Sequence, residues 1–333
     1  MKDSEMHWKL WQGGGQETWD SLLLKHSDFT IYQSYAWGEH RAKFGWQPLR
    51  LVLQEDNEIK VMAQVLLRRF PLSIGLAWIP GGPIGKIESW GKHFQHAISQ
   101  VTGLKFVYCR INSMHSYFQD DESMLLEEGW VRSRYTINSG LSLNYFPSND
   151  EGTRMLQCSK NWRHNLRRAT KRKIHSYLWE NPHPAEMIAA YSKMEEHKQL
   201  KQQTSLEQIE SIRAAFGSNC ILVRCDDEEG NLLAFRGALL LGGKGWDMYA
   251  ATTPEGRKLY ASHSAFWELM TQCSIKKIKW YDMSGVDPIK NPGVANFKKG
   301  TGARDLKYLG EWEYSNSIIL RRLANHIFRI KLA

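Results

Sequence analysis

The feature that most constrains this chain is an order of elements that occurs twice. In the first half, residues 16–27 and 33–44 are predicted helices. A hairpin of 49–54 and 59–70 follows, turning at Asp56-Asn57, then a strand at 76–79, a helix near 87–100 and a strand at 105–111. The second half repeats this order. Helices 184–200 and 205–216 lead to a hairpin of 220–225 and 232–241 that turns at Glu229-Gly230-Asn231, a strand at 246–251, a helix at 257–276 and a strand from Ile278. A helix at 119–128, stopped by Gly129, and strands at 131–137 and 141–145 close the first half. Such an internal duplication predicts two domains, 1–150 and 151–333. Hairpins interleaved with helices make the class α+β, with mixed sheets flanked by helices, and not a long parallel series.

Composition narrows the partners. The net charge of +9 favours a polyanion: nucleic acid, a nucleotide-linked substrate or an anionic membrane surface. The five cysteines (109, 158, 220, 225 and 273) form no C-x-x-C pair, which argues against a disulfide framework or structural zinc and fits a reducing compartment. The N-terminus shows no apolar leader and no run of 18 apolar residues occurs, so a cytoplasmic protein is expected. No H-E-x-x-H or G-x-S-x-G occurs, and His93 and His96 have no third ligand nearby, so neither a metal nor a serine elbow is expected.

Charge is concentrated in one place. Between Gly152 and Trp179 stand Arg154, Lys160, Arg163, Arg167, Arg168, Lys171, Arg172 and Lys173, with no Asp or Glu. A helix over 152–172, bridging the two halves, docks Met155, Trp162, Leu166 and Ala169 on one side and stripes Lys160, His164, Arg167 and Lys171 along the other. One-sign blocks are often only solvated faces. Here the lack of any neutralising acid beside Trp162 favours an RNA or phosphate contact through Lys160, Arg163, Arg167, Arg168 and Lys171. A second basic amphipathic segment, the predicted helix 317–332, carries Ile318, Ile319, Leu323, Ile327, Phe328 and Ile330 with Arg321, Arg322, Arg329 and Lys331. Docking on its own domain is the first reading, and lying peripherally on an anionic membrane is the second.

The stretch from Ile278 to Tyr314 carries the candidate chemistry. Ile278-Lys279-Trp280-Tyr281 is strand-like and turns through Asp282, Ser284 and Gly285. A segment with Pro288, Asn291, Pro292 and Gly293 reads as loop. Phe297-Lys298-Lys299-Gly300 and a flexible Gly-Thr-Gly follow, then an alternating strand at 306–312. Lysine beside glycine suits an anionic oxygen, because ammonium and freed backbone N–H groups can both face it. A basic surface loop is the plainer alternative.

This stretch resembles the C-terminal signature of the Fem family (FemABX), the aminoacyl-tRNA-dependent transferases that build peptidoglycan cross-bridges: a Tyr-Asp-small-Gly strand end, a gap, Phe-Lys-basic-Gly, then a strand. Three further blocks match in order: Gln33-Ser34-Tyr35-Ala36-Trp37-Gly38 with Gly45-Trp46; Ser159-Lys160-Asn161-Trp162-Arg163 with Asn165-Leu166-Arg167-Arg168-Ala169; and Tyr249-Ala250-Ala251-Thr252 before a helix through Tyr260, Ala261, Phe266 and Trp267. The resemblance implies two tandem acetyltransferase-like (GNAT) domains. Some relatives insert a long coiled-coil arm; 184–216 is too short for one here.

The resemblance also implies an activity. An aminoacyl ester on tRNA is already activated, so the enzyme has to position ester and amine, remove a proton and stabilise an oxyanion. Gly256-Arg257-Lys258-Leu259-Tyr260-Ala261 lacks the glycines with which acetyltransferases wrap a pyrophosphate, so CoA is disfavoured and no cofactor is expected. By resemblance, Lys298 after Phe297 lies near substrate phosphate and the tetrahedral intermediate. Lys299 is an equal candidate for that place. Tyr249 is implied to line the acceptor pocket, with Tyr260 on the helix that follows, and Arg41 to meet a sugar-nucleotide diphosphate. Asp282 either accepts a proton or caps its turn, the cap being favoured. Two departures touch the acceptor side. Asn112 stands where the family often has aspartate, and the arginine and tyrosine expected near 204–208 are missing, with Lys198 and Lys201 nearby. The expected partners are aminoacyl-tRNA and a nucleotide- or lipid-linked muropeptide, met by a monomer. The competing readings are an N-acyltransferase of polysaccharide or natural-product assembly and a non-catalytic tRNA-binding protein.

Overall fold

The chain folds into two units, residues 1–140 with 307–333, and residues 141–306. A computed structural model describes residues 7–56, 58–90, 93–198 and 205–332. Asn57, Lys201 and the side chain of Lys198, all singled out above, lie outside the described residues.

The first unit opens with β1 (His7–Leu10), α1 (Gln16–Leu23) and α2 (Tyr35–Ala42). Ser34 starts α2 by accepting a hydrogen bond from the Trp37 amide, as a helix N-cap does. The hairpin is β2 (Gln47–Glu55) and β3 (Glu58–Phe70), paired antiparallel along its length. Next come β4 (Ile74–Pro80), α3 (Ile87–Trp90), α4 (Phe94–Thr102), β5 (Phe106–Ser116), α5 (Gln119–Glu127) and β6 (Val131–Arg132). The single helix expected near 87–100 is thus two. His93 takes a left-handed φ of 64° ahead of the second, which an unbroken helix does not allow. The strand expected over 131–137 keeps only its first two residues.

The second unit begins with β7 (Leu141–Tyr145), α6 (Glu151–Gln157), α7 (Lys160–Thr170) and β8 (His175–Leu178). The expected helix 152–172 is therefore broken. Ser159 leaves helical geometry and caps the second helix through the Trp162 amide, at 3.2 Å. Then follow α8 (Pro184–Lys198), α9 (Leu206–Phe216), β9 (Cys220–Asp226), β10 (Leu232–Leu241), β11 (Lys244–Thr252), α10 (Pro254–Lys258), α11 (Ala261–Ile275), β12 (Trp280–Asp282) and α12 (Pro292–Gly300). No long coiled-coil arm stands among the described residues. α12 replaces the loop expected from the Pro and Gly content. Pro292 occupies a first-turn position, where its missing N–H and fixed φ suit a helix start.

The sheet of this unit runs β7-β12-β11-β10-β9-β8, antiparallel except between β11 and β12. One face carries α7 and α11 and buries Leu143, Tyr145, Leu166, Ala238, Phe266 and Leu269. The other carries α8, whose Tyr191 ring meets Phe235 edge-on at 5.2 Å. A bulge separates the faces on β11. Gly237 pairs with Tyr249 and Ala238 with Asp247, so Met248 is an extra residue and Asp247 and Tyr249 project to opposite sides.

The chain then returns. β13 (Arg304–Ser315) pairs antiparallel with β5 and α13 (Ile318–Leu332) packs beside β5, so 307–333 completes the first unit. The sheet of that unit runs β1-β2-β3-β4-β5-β13, with β6 beside β13. This differs from the expected division at 150, and in two ways. β7 pairs with β12 of the second unit, and the C-terminal helix docks on the first unit. The tie is chemical as well as topological. Arg110 on β5 pairs with Glu311 on β13, both nearly inaccessible, while Glu311 also accepts from the Ile137 and Asn138 amides at 2.7 and 2.9 Å. Tyr108 donates to Glu313 at 2.7 Å. Trp312 is completely buried against Leu309, Trp130 and their neighbours, a burial worth on the order of 3 kcal/mol. The structure thus has the expected class, α+β with mixed sheets flanked by helices.

Candidate functional site

The end of β12 is where polar groups gather on the α7/α11 face of the second unit. Lys298 of α12 is buried, and its ammonium donates to three backbone carbonyls, those of Met283, Ser284 and Gly285, the latter two at 3.1 Å. Three donors meet three acceptors. Burial pulls the Lys298 pKa down, partly opposed by the Asp247 carboxylate and reinforced by Arg236. Lys299 turns outward and pairs with Asp305 at 3.1 Å. Of the two lysines, then, Lys298 faces inward.

The glycines beside them have a different use from the one expected. A Cβ at Gly302, whose φ is +87°, would stand 2.3 Å from the Gln157 carbonyl oxygen, and one at Gly300 would stand 2.8 Å from the Trp162 ring. They allow the end of α12 to press on the α6–α7 junction, where the Gly300 carbonyl accepts from the Ser159 amide at 2.8 Å. The expectation of backbone N–H groups freed for an anion is corrected accordingly.

Asp282 is buried and accepts from the Ser142 hydroxyl and, at 2.8 Å, from the Ser284 amide. The bond to the amide two residues on is the turn cap favoured from sequence. On the α7/α11 face, opposite to Asp282 by strand register, a second carboxylate, Asp247, accepts from the Tyr281 hydroxyl at 3.0 Å and faces Arg236 at 3.6 Å. Arg236 is the residue that sequence reasoning missed. It projects from β10 with its guanidinium 4.7 Å from the Phe297 ring centroid and donates to Ser262 at 3.3 Å. Its Nε and Nη1 are buried without a hydrogen-bond partner among the described residues. The signal was available: a lone arginine inside the apolar run Leu232–Leu241 is costly unless paired.

Aromatic groups close over this cluster. Phe297 and His263 lie 5.0 Å apart, and Trp162 of α7 lies 5.0 Å from His263. Burial and nearby Arg236 hold the His263 pKa down to about 4, so its ring is neutral at pH 7. Tyr260 precedes α11 with a left-handed φ of 61°, a strained setting for a non-glycine residue. Its ring lies under the Arg168 guanidinium at 4.5 Å. Lys160, Arg167, Arg168 and Lys171 are exposed on α7 and Arg163 is half-buried. Arg154, counted above with that block, is buried instead, donating to the Ser148 carbonyl and to Thr271.

Tyr249 is not part of this cluster. The Met248 bulge sends it to the α8 face, where it is buried with its hydroxyl unpaired and its pKa raised by desolvation. Arg41 and Asn112 belong to the first unit. Arg41 lies over the Trp46 and Trp78 rings at 5.9 and 5.5 Å, and Arg68 over Trp46 at 4.4 Å. Burial, and then Arg68, lowers the Arg41 pKa, and its Nε is unpaired. Gly45, Trp46, Arg68 and Arg69 line a cavity of about 370 Å³ beside this pair. Asn112 is half-buried on β5, its carbonyl accepting from Gly81 at 2.8 Å. Among the described residues no group of three His, Cys, Asp or Glu is placed to hold a metal, and no helix is long and apolar enough to cross a membrane.

The comparisons agree with this architecture. Residues 167–327 match the model described as the FemAB family, so the Fem resemblance read from the sequence is found there. The crystal structure of FemX superposes with a TM-score of 0.82 at 16% identity, covering 96% of this chain and all of that one. L-PGS from Bacillus licheniformis gives 0.55 at 13% identity over 96% of this chain and 98% of that one. A tandem GNAT protein from the clavulanic acid biosynthesis pathway gives 0.54 at 8% identity over 94% and 99%. No curated protein sequence matches this chain. The fold is the tandem acetyltransferase-like fold, and the FemAB family match, over a little under half of the chain, supports a transferase.

Proposed function

We propose that this chain transfers an aminoacyl group from aminoacyl-tRNA to the stem-peptide amine of a peptidoglycan precursor, lipid-linked or nucleotide-linked. The observation that carries the reading is the Arg168–Tyr260 stack, from which ring contacts through His263 and Phe297 lead from the exposed cationic face of α7 to buried Arg236. A polyanion on α7 would thereby lie beside a buried guanidinium whose Nε and Nη1 make no hydrogen bond among the described residues.

The chemistry follows from what these groups can do. The acceptor amine attacks the ester carbonyl, a C–N bond forms, the ester C–O bond breaks, and the amine proton ends on the departing ribose hydroxyl. Arg236, whose Nε and Nη1 make no hydrogen bond among the described residues, supplies the charge that stabilises the oxyanion. Lys298 acts through the 283–285 turn that it holds, and Asp282 through the same turn. Arg41 and Arg68 on their tryptophan platform suit a diphosphate-bearing acceptor. Lys160, Arg163, Arg167 and Lys171 contact the tRNA backbone. Asn112, Tyr249, Phe297 and Lys299 keep the substrate-side roles that the family resemblance implies, Phe297 as the ring against the Arg236 guanidinium.

Incubation of the purified protein with charged tRNA and muropeptide tests this. RNase-sensitive amide formation is the expected result. Turnover of an acyl-CoA would favour N-acyl transfer instead, and salt-dependent tRNA binding without transfer a non-catalytic role.

A further inference from the structure

We infer that α13 docks the protein on an anionic phospholipid surface, laying its outward apolar stripe into the bilayer interface and taking lipid phosphates into a basic cleft on its flank. The helix is pinned by one side. Phe328 packs between the Tyr108 ring, at 6.2 Å, and the Arg110 guanidinium, at 4.1 Å, and Asn325 donates to Glu313 at 2.6 Å. At about 3.6 residues per turn the opposite side is the line 319, 323, 327 and 330. Its residues, Ile319, Leu323, Ile327 and Ile330, are 77%, 54%, 44% and 63% exposed. Four large aliphatic side chains standing in water along one stripe are an uncovered surface.

The charge identifies what covers it. α13 contains no acidic residue, and Arg322, His326 and Arg329 run along one edge of the stripe with Lys331 on the other. That edge opens into a cleft of about 480 Å³ lined by Arg134, Arg321, Arg322 and Arg329, with Glu313 engaged by Tyr108 and Asn325. Four guanidiniums beside an apolar stripe complement an interface whose hydrocarbon lies just beneath phosphate oxygens. A second copy of this chain would bring a second set of arginines against the first, which charge disfavours.

Sedimentation of the full chain with vesicles of phosphatidylcholine alone, and of phosphatidylcholine with phosphatidylglycerol, tests the inference without reference to transfer activity. Binding is expected only to the second, falling with salt. Leu323→Glu and Ile330→Glu abolish it while melting stays as in the parent, since both positions face solvent. Neutralising Arg322 or Arg329 weakens partitioning roughly fivefold each. Absent vesicle binding, binding indifferent to the two glutamates, stabilisation by inorganic phosphate alone, or a dimer that these glutamates dissociate would each overturn it.

Discussion

The Lys298 ammonium meets the Ser284 carbonyl oxygen at 3.1 Å, and the carbonyls on either side of Ser284 take its other two protons. A residue whose pattern suggests a free cation is therefore the anchor of a turn, and the cation beside it whose Nε and Nη1 make no hydrogen bond among the described residues is Arg236. The predictions start from that exchange of roles.

Lys298→Met leaves three carbonyls without their donor, so it should lower unfolding free energy by about 2–3 kcal/mol and loosen the 283–285 turn. Lys298→Arg should not restore the loss, because a planar fork cannot reach three converging oxygens. Denaturant titration and transfer rates check both, and a Lys298→Met protein with parental stability would remove the anchor assignment.

Arg236→Met strands the Asp247 carboxylate, a loss of about 3–5 kcal/mol for a buried pair stripped of one partner. The double variant Arg236→Met with Asp247→Leu should recover much of that stability but none of the transfer activity. A double-mutant cycle reads the coupling, and additive effects would show that the 3.6 Å pair carries no shared energy.

Acid should weaken the fold through two histidines. Burial, then Arg41 and Lys43, holds His40 at about 4, and burial with Arg236 holds His263 at about 4. Both folded values lie below the ordinary value near 6.5, so between about pH 6.5 and 4 the unfolded chain binds more protons. Stability is full above that window, falls as pH drops through it and has lost the whole contribution below it, on the order of 3 kcal/mol per histidine. Melting points across the window should flatten in His263→Gln. An unchanged slope would argue against a neutral buried ring.

Lys160→Glu, Arg167→Glu and Lys171→Glu stand on the exposed face of α7 and should leave melting unchanged. Each lost phosphate contact should take about 0.7–0.9 from the slope of log affinity for tRNA against log salt. Filter binding at several salt concentrations measures it, and parental slopes in the triple variant would leave this face a solvated one.

Gly302→Ala should cost more than about 2 kcal/mol, since it adds a left-handed backbone penalty to a clash with the Gln157 carbonyl. Gly293→Ala meets nothing within 4 Å and should be silent. Equal melting of the two variants would contradict the packing of α12 described above.

Much of the fold was legible because local apolar runs and turn residues carry it. The hairpins β2–β3 and β9–β10 follow apolar runs parted by turn residues, and α11 follows a helix-length apolar segment, although left-handed Tyr260 splits the helix expected over 257–276 into α10 and α11. What escaped was set by position or by distance. Pro292 signals a break until it is known to stand in a first turn, and Ser159 resembles any helix-flanking serine until its hydroxyl is seen on the Trp162 amide. The pairing of β13 with β5, about two hundred residues apart in sequence, leaves no local trace, so the boundary at 140 and the return of α13 could not be read. At the candidate site, Lys298 was found from its motif, but its three carbonyl partners and the single-residue bulge parting Asp247 from Tyr249 depend on the folded chain.

That bulge has a consequence for the chemistry of the whole strand. Were β11 paired without the bulge, in simple alternation, Asp247 and Tyr249, two residues apart, would look the same way, whichever end kept its register. Either Arg236 would lose its carboxylate or a phenol would crowd in beside it. One inserted residue thus acts as a partition, letting a single strand supply an acid to one compartment and a phenol to another.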